Sequence, residues 1–446
     1  MVMSQNKEVP IIVIGAGIAG LAAASELQKA GRKVIVLEAR DRLGGRIFSQ
    51  EIGKKVYDLG ASWIHGIENN PIWSIVQQNQ IKTKVFNYHE SIYYHENGQP
   101  FNPIQQHIFE KSLDYLFNQF KTIDLNEHYS HALEAIETWL HGTAFQKFIN
   151  DQFQLEQVKK DKLQKILFDF FKVLAEDPCA SNLEHLSADF WKNEGFYAGD
   201  EVVFPQGYIQ VVESLSKDLV VLTKKVVQCI DYSADIIKIF TEEGECFAAS
   251  QIIMTVPLGV LKKQSIQFIP DLSQQKKYVI QKLGYGVFNK LFVHFDQAFW
   301  QCNKGYFINN INNINIHNGQ RWLNFLDMSE IYQQPTLLFL FGGVSAIWTE
   351  KLSCHEVWQQ IEPSLKLMFA DIPQPTQMFK TAWGTDHFAE GSFSYQAIGQ
   401  TDHDIEILKE PLLGKLFFAG EHLAKFGAGT VHGAYTSGLD AVKSIG

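Results

Sequence analysis

The chain of 446 residues lacks any window of eighteen unbroken apolar residues, so no membrane span is expected. Its first residues, MVMSQNKEVP, lack the apolar core of a leader, and the reading is that no signal or transit peptide is present. The last four, KSIG, are not a peroxisomal address. Cysteine is scarce: Cys179, Cys229, Cys246, Cys302 and Cys354 are odd in number and show no CxxC spacing. That excludes a disulfide framework and a zinc site, so no metal is expected. A reducing compartment, the cytoplasm, is the expected location. Positive charge is also short. Lys and Arg total 39 against 49 Asp and Glu, a formal net charge of −10. This argues against nucleic acid as a partner and suits a cationic ligand. There are no internal repeats.

What is present is apolar and punctuated by glycine. Hydrophobic residues make up 46%, enough for a large core, and the length favours more than one lobe. The run IIVI (11–14) reads as a strand buried on both faces. GAGIAG follows at once, then LAAASELQKAG as a helix closed by Gly31, then KVIVLE as a second strand. Gly15, Gly17 and Gly20 therefore form GxGxxG in a strand–turn–helix setting. Gly15 permits the tight turn. Gly17 lets the backbone approach a pyrophosphate at the helix start, where Ile18 and Ala19 lie. Gly20 lets helix and strand pack closely. Glu38 ends the next strand and is placed to accept ribose hydroxyls, which disfavours NADP. The following EARDRLGGRI puts Ala39, Arg40, Gly45 and Arg46 around a Gly-Gly turn, with two guanidiniums for a diphosphate. That loop favours FAD over NAD.

Further along, IFEKSLDYLFNQF, LEAIETWL and KLQKILFDFFKVL recur at helical spacing and predict a mostly helical insert over 104–200. VVQCID, IIKIF, ECFAA and IIMTV predict a meander of strands over 226–256. KLFVHF (290–295) alternates, with Leu291, Val293 and Phe295 on one face and Lys290, Phe292 and His294 on the other, a mixed face suited to a cavity wall. The Asn-rich INNINNINIHNG (308–319) reads as a surface hairpin tip. LLFLFGG (337–343) is another buried strand, and LKLMFA helps close the second lobe. KLFFAGE (415–421) is a last parallel-type strand and VHGAYTSGLDAVKSI (431–445) a last helix. The expected class is α/β, a Rossmann-like FAD-binding domain (1–90, 201–288 and 381–446) interleaved with an α+β substrate-binding domain (91–200 and 289–380).

Seven blocks in order carry a resemblance: LEARDRLGGRI, DLGASWIHG (58–66), TVPLGVLKK (255–263), LGYGVFNKLFVHFDQAFW (283–300), WGTD (383–386), GSFSY (391–395) and FAGEHLAKFGAGTVHGAY (418–435). Together they resemble the flavin-containing amine oxidases. The likeness is to the polyamine and spermine oxidase branch, with kinship to the lysine-specific histone demethylases. The resemblance implies the two-domain architecture of amine oxidases and p-hydroxybenzoate hydroxylase. It implies a hydride passing from the carbon beside nitrogen to flavin N5, imine hydrolysis to amine and aldehyde, and reoxidation by O2 to hydrogen peroxide.

By the same resemblance, Lys290 holds a water against flavin N5, and His65 lines the cavity, bonding a substrate nitrogen or helping to deprotonate it. Gly60 and Ala61 keep the backbone near the cofactor, and Ser62 and Trp63 contact it. Val227 touches adenine. Gly420 and Glu421 face the ribityl or pyrophosphate part. Thr430 and Val431 open a helix toward the flavin's carbonyl edge. Trp383, Phe393 and Tyr395 wall the substrate cavity, and Thr430 stands where the aromatic partner of Phe393 is expected, leaving half a sandwich. Ser392 stands where monoamine oxidases carry a flavin-linking Cys, so FAD is expected to be non-covalent. An amino acid oxidase would carry an Arg where this chain has Ser62-Trp63-Ile64-His65. The demethylases carry an added helical module and a coiled-coil insertion that these 446 residues do not show. A flavin-binding scaffold without turnover is the remaining rival. The helical insert offers acids such as Glu184 and Glu194 for distal ammonium groups.

Overall fold

Four successive apolar residues, Ile11–Ile14, are buried on both faces: Ile11 and Val13 pack with Leu21 and Leu27 of the following helix, and Ile12 and Ile14 with Ile230 and Leu258 on the other side. The four pair in parallel with Val34–Leu37 and with Gln251–Met254. Val221–Leu222 and Leu416–Phe418 complete a five-stranded parallel sheet, the latter on the far side of Gln251–Met254. The computed structural model describes residues 9–86, 91–122, 129–190, 195–300, 306–309 and 323–445. The helix after the glycine turn, Ile18–Lys29, lies against the last helix, Val431–Lys443. They approach so closely that a Cβ on Gly438 would stand 2.2 Å from the Ala19 carbonyl oxygen.

The predicted meander is corrected in one strand. Gln251–Met254 belongs to the parallel sheet, and Gln267–Ile269 takes its place beside Val227–Asp231, Ile237–Thr241 and Cys246–Ala249. The physical reason is visible in the sequence: IIM is continuous, as a strand buried on both faces must be, whereas Ile237–Thr241 alternates buried and exposed.

A six-stranded sheet runs Gln377–Lys380, Phe288–His294, Thr336–Gly342, Leu323–Asp327, Tyr306–Asn309, Ser91–Tyr94. The helix Cys354–Met368, which includes most of LKLMFA, starts from a capping box at Ser353 and Glu356. It buries Trp358 and Ile361 with Phe295 and Phe339 of this sheet region. The insert forms the helices Pro103–Thr122, Ala132–His141, Thr143–Phe153 and Gln157–Cys179, with Phe109, Phe120, Phe145 and Phe171 fully buried between them. The tip of the Asn-rich tract, 310–319, lies outside the described residues.

The strand Phe288–His294 departs from the expected alternation. Asn289 through His294 are all buried, on both faces. Leu291 and Val293 join the core around Trp358. Phe292 stacks on Phe379 and meets Tyr57 edge-on, while His294 Nδ1 bonds the Thr336 hydroxyl at 2.8 Å. The mixed face is thus a packed aromatic cluster, and of Lys290, Phe292 and His294 only Lys290 reaches the cavity described next. No helix among the described residues is long and apolar enough to cross a membrane.

Candidate functional site

A cavity of about 1730 Å³ extends from the glycine turn to the helical insert. At its first end the helix Ile18–Lys29 begins at Gly17, and no side chain caps it. Its leading N–H groups are therefore available to an anion. A Cβ built on Gly17 would meet nothing within 4 Å, so the turn leaves open space where a diphosphate would sit. Gly45 closes the other side of this cradle, 3.5 Å from the Gly17 Cα when a Cβ is added to it. Gly20 is different: its Cβ would fall 2.0 Å from the Gly15 carbonyl oxygen, and it is not part of the cavity wall. Its role is the close packing of helix on strand.

Glu38 is fixed by two backbone donors, Ala16 N–H to Oε2 at 2.7 Å and Arg40 N–H to Oε1 at 2.8 Å. Burial pushes its carboxyl pKa up, against those two bonds. Each oxygen keeps a lone pair for a ribose hydroxyl. Ala39 and Val227 line the same end. The two arginines read as diphosphate partners are both paired within the chain. Arg40 makes two bonds to Asp386, and Arg46 donates to Glu421 at 2.7 Å and to the Ser392 carbonyl at 2.9 Å. Glu421 also accepts from the Ser394 hydroxyl and from Gly429 N–H at 2.9 Å. Burial alone would raise its pKa; Arg46 and these donors hold it below the ordinary carboxylate value.

The bend DLGASWIHG crosses the middle of the cavity. Gly60 cannot be replaced without movement, since a Cβ there would lie 1.9 Å from the Arg46 carbonyl oxygen. Lys290, 4% exposed, directs its ammonium at this bend. It donates to the carbonyls of Asp58 at 3.0 Å and Gly60 at 2.6 Å and to the Ser62 hydroxyl. Its Nζ also lies 5.3 Å from the Trp63 ring centroid. Burial lowers its pKa to about 8, opposed by the charge of Asp58. The buried Asp58 carboxyl is pushed up to about 6 by burial and is held by Ser49 and Tyr208 N–H. Trp383 ties its indole N–H to the Leu59 carbonyl at 3.1 Å, and its own backbone N–H donates to Asn289 at 3.1 Å. Asn289 is in turn anchored on Glu350 at 2.7 Å.

The cavity wall runs without a break along the bend through Gly60, Ala61, Ser62 and Trp63 to His65, whose Nδ1 lies 2.6 Å from Glu201 Oε2. Phe393 lies 5.9 Å from Phe288, and Tyr395 and Gly420 are in the same wall. Thr430 caps the helix Val431–Lys443 by accepting from Gly433 N–H, so its hydroxyl is engaged locally while Val431 opens the helix at the cavity. The Ser392 hydroxyl is used by the neighbouring strand, donating to the Phe288 carbonyl and accepting from Phe288 N–H. The far arm lies between helices, walled by Tyr93, Phe117, Phe170 and Leu174 with Asp177 and Asp189. Glu184 is exposed and outside this wall, and Glu194 lies outside the described residues.

The sequence model of the family described as "Flavin containing amine oxidoreductase" matches residues 18–445. The chain belongs to this family. As a member of this family it has FAD as its cofactor, held non-covalently, in keeping with the open cradle at Gly17 and the serine at 392. It is similar to a probable polyamine oxidase 4 of Arabidopsis thaliana, 32% identical over 99% of this chain and 88% of that protein. It is also similar to lysine-specific histone demethylase 2 of Homo sapiens, 31% identical over 98% of this chain and 53% of that protein. A third relative is lysine-specific histone demethylase 1 homolog 1 of Oryza sativa subsp. japonica, 31% identical over 98% and 52%. The chain thus spans about half the length of the demethylases it matches.

Several residues of this amine oxidoreductase escaped sequence reasoning. Glu350 and Glu201 carry no pattern of their own, and Asp386 closes the WGTD block with nothing in the sequence to show its partner; a distant segment brings each to Asn289, His65 or Arg40. Asp177, near the end of the helix Gln157–Cys179, and Asp189, in a turn beyond it, are in the helical insert, where many acids occur and no pattern marks these two.

Proposed function

We propose that this amine oxidoreductase oxidises a polyamine, spermine, spermidine or an acetylated form, to an amine, an aldehyde and hydrogen peroxide. The observation that carries the reading is the state of the cavity's arginines. Arg40 and Arg46 are the arginines in its wall among the described residues, and each is paired with a carboxylate. Among the described residues no guanidinium of the wall is left to meet a substrate carboxylate, which argues for amines over amino acids. Asp177 and Asp189 in an aromatic arm suit the distal charge of a polycation.

Bound FAD supplies the two-electron oxidation at the carbon beside nitrogen and returns the electrons to O2. Around it the glycine turn and the start of the helix Ile18–Lys29 hold the diphosphate, Glu38 the ribose and Val227 the adenine. Glu421 and the start of the helix Val431–Lys443 border the ribityl and ring portions. Lys290, which spends its three donors on the bend, is assigned to the reacting carbon's side, where a held water takes the place of one of those bonds. Trp63, Trp383, Phe393 and Tyr395 exclude bulk water and position the amine. Residues 1–90, 201–288 and 381–446 are assigned to the FAD-binding domain, and 91–200 and 289–380 to the substrate domain. The cytoplasm is the assigned location.

Likeness to the demethylases favours one second reading, oxidation of a methylated lysine within a peptide. A steady-state peroxide assay decides between them, run with spermine, spermidine, acetylated polyamines, monoamines, L-amino acids and a methyl-lysine peptide. Peroxide from the free polyamines is the expected result. Turnover of the peptide alone overturns the polyamine reading, and absence of peroxide from every amine by FAD-loaded protein removes the enzyme reading. Acid precipitation is expected to release the flavin into the supernatant.

A further inference from the structure

We infer that Glu201 orients His65 and fixes its tautomer, so that a bare Nε2 faces the cavity and takes the proton of the substrate's ammonium. The inference rests on the amine-oxidising reading above. Trp63–Ile64 pairs antiparallel with Val202–Val203, in the register Trp63 with Val203 and Ile64 with Val202. One step further along the same ladder, His65 stands opposite Glu201. Both backbones are held there: Phe86 N–H donates to the Glu201 carbonyl at 2.8 Å, and Tyr197 N–H donates to the His65 carbonyl at 3.3 Å. The pair is therefore set by sheet register.

The side chains meet at 2.6 Å between Nδ1 and Oε2. A carboxylate only accepts, so the single N–H of a neutral imidazole resides on Nδ1, and Nε2 carries the lone pair. The layering is that of a base backed by an orienting acid. His65 is in the cavity wall and Glu201 is not. Phe196 covers the imidazole, ring centroids 4.7 Å apart. Among the described residues, Tyr197 and His432 are titratable neighbours of His65; their rings meet edge-on at 5.0 Å, and His432 Nε2 donates to the Gly195 carbonyl at 2.8 Å. Burial holds the His432 pKa below the ordinary imidazole value.

A polyamine nitrogen is an ammonium at neutral pH and has no lone pair to form an imine. In the step assigned to the dyad, the N–H bond breaks, its electron pair stays on nitrogen, and the proton forms a new bond to His65 Nε2. The imidazolium is then balanced by Glu201 and returns its proton to water before the next turnover. Glu201 touches no substrate; it is a positioning residue acting through His65.

The test is anaerobic flavin reduction in the holoenzyme, with spermine or, should the wild type not oxidise it, the amine that gives peroxide in the panel above. At pH 7.5, Glu201→Gln is expected to slow reduction roughly 10²-fold with FAD content unchanged. Near pH 10, where a larger share of the amine arrives neutral, the gap is expected to close to within a few-fold. His65→Gln is expected to show the same pattern, and the double variant to be no slower than His65→Gln alone. An equal deficit at both pH values, or additive losses in the double variant, overturns the inference. The tautomer supplies a readout that needs neither a folded variant nor a substrate. Nitrogen NMR of the wild type is expected to show His65 protonated at Nδ1, and protonation at Nε2 overturns the inference even if no amine is oxidised.

Discussion

Two buried lysines in this protein are nearly the same by every local measure. Lys276 is 3% exposed and Lys290 4%. Each has its pKa lowered to about 8 by burial. Each lies 5.3 Å from an aromatic centroid, Phe418 for one and Trp63 for the other. Each spends three donors within the chain. Lys276 gives its donors to the carbonyls of Ile407, Leu408 and Glu410, where the helix Asp402–Lys409 ends. Lys290 gives its own to the bend at Asp58, Gly60 and Ser62. The difference is what the acceptors belong to: a helix terminus packed outside the cavity, or a bend that walls it. A depressed lysine pKa therefore marks burial, and only the place of its partners separates a fastener from a participant in chemistry.

The sharpest way to break this comparison is to remove each lysine in turn. Lys276→Met leaves three carbonyls at a helix end without their cation and is expected to cost about 3 kcal/mol of stability, read by urea denaturation, with turnover unchanged. Slowed turnover at full stability would make the two lysines equivalent. Lys290→Met is expected to keep its FAD and to slow flavin reduction or reoxidation more than about tenfold, roughly 1.4 kcal/mol of barrier. Unchanged rates would remove Lys290 from the chemistry. Ser62→Ala takes one acceptor from Lys290 and is expected to cost about 1 kcal/mol, shared between stability and rate.

The mildest effect is on pH. A folded lysine pKa near 8, against 10.5 ordinarily, means the unfolded chain binds more protons between those values. Stability contributed by that group then rises as pH climbs from about 8 toward 10.5, and the burial penalty is in full force below 8. The rise is expected to be smaller in Lys276→Met, compared by denaturation at pH 7.5 and 9.5. An identical rise in the variant would show that Lys276 does not titrate in that window.

How much of this was legible beforehand varies by residue, for physical reasons. The first strand, glycine turn and helix read correctly because local burial and backbone demands coincide there: Gly15 takes a φ of +107° and Gly20 has no room for a Cβ. Lys290 and His65 were named from the ordered blocks, and both are in the cavity wall. Arg40 and Arg46 were assigned to a free diphosphate because sequence shows a charge and hides its partner; Asp386 and Glu421 lie more than three hundred positions away. Alternation alone puts Phe292 and His294 with Lys290 on a mixed face suited to a cavity wall. The strand is instead packed on both sides, by Tyr57 and Phe379 as well as by the core around Trp358. Glu201 was invisible because a sheet register cannot be read from a two-residue strand.

The parallel sheet sets a timetable for the making of this protein. Its central strand, Ile11–Ile14, leaves the ribosome well before two strands of its own sheet, Gln251–Met254 and, later still, Leu416–Phe418. That last strand leads directly into Gly420 and Glu421, which close one side of the cavity, and on to the helix laid across the glycine turn. A nascent chain carries the phosphate turn long before the opposite wall arrives. The two sides of the cofactor site are thus made far apart in time, and a chain broken off before residue 416 would display the nucleotide signature without the strand that completes its sheet.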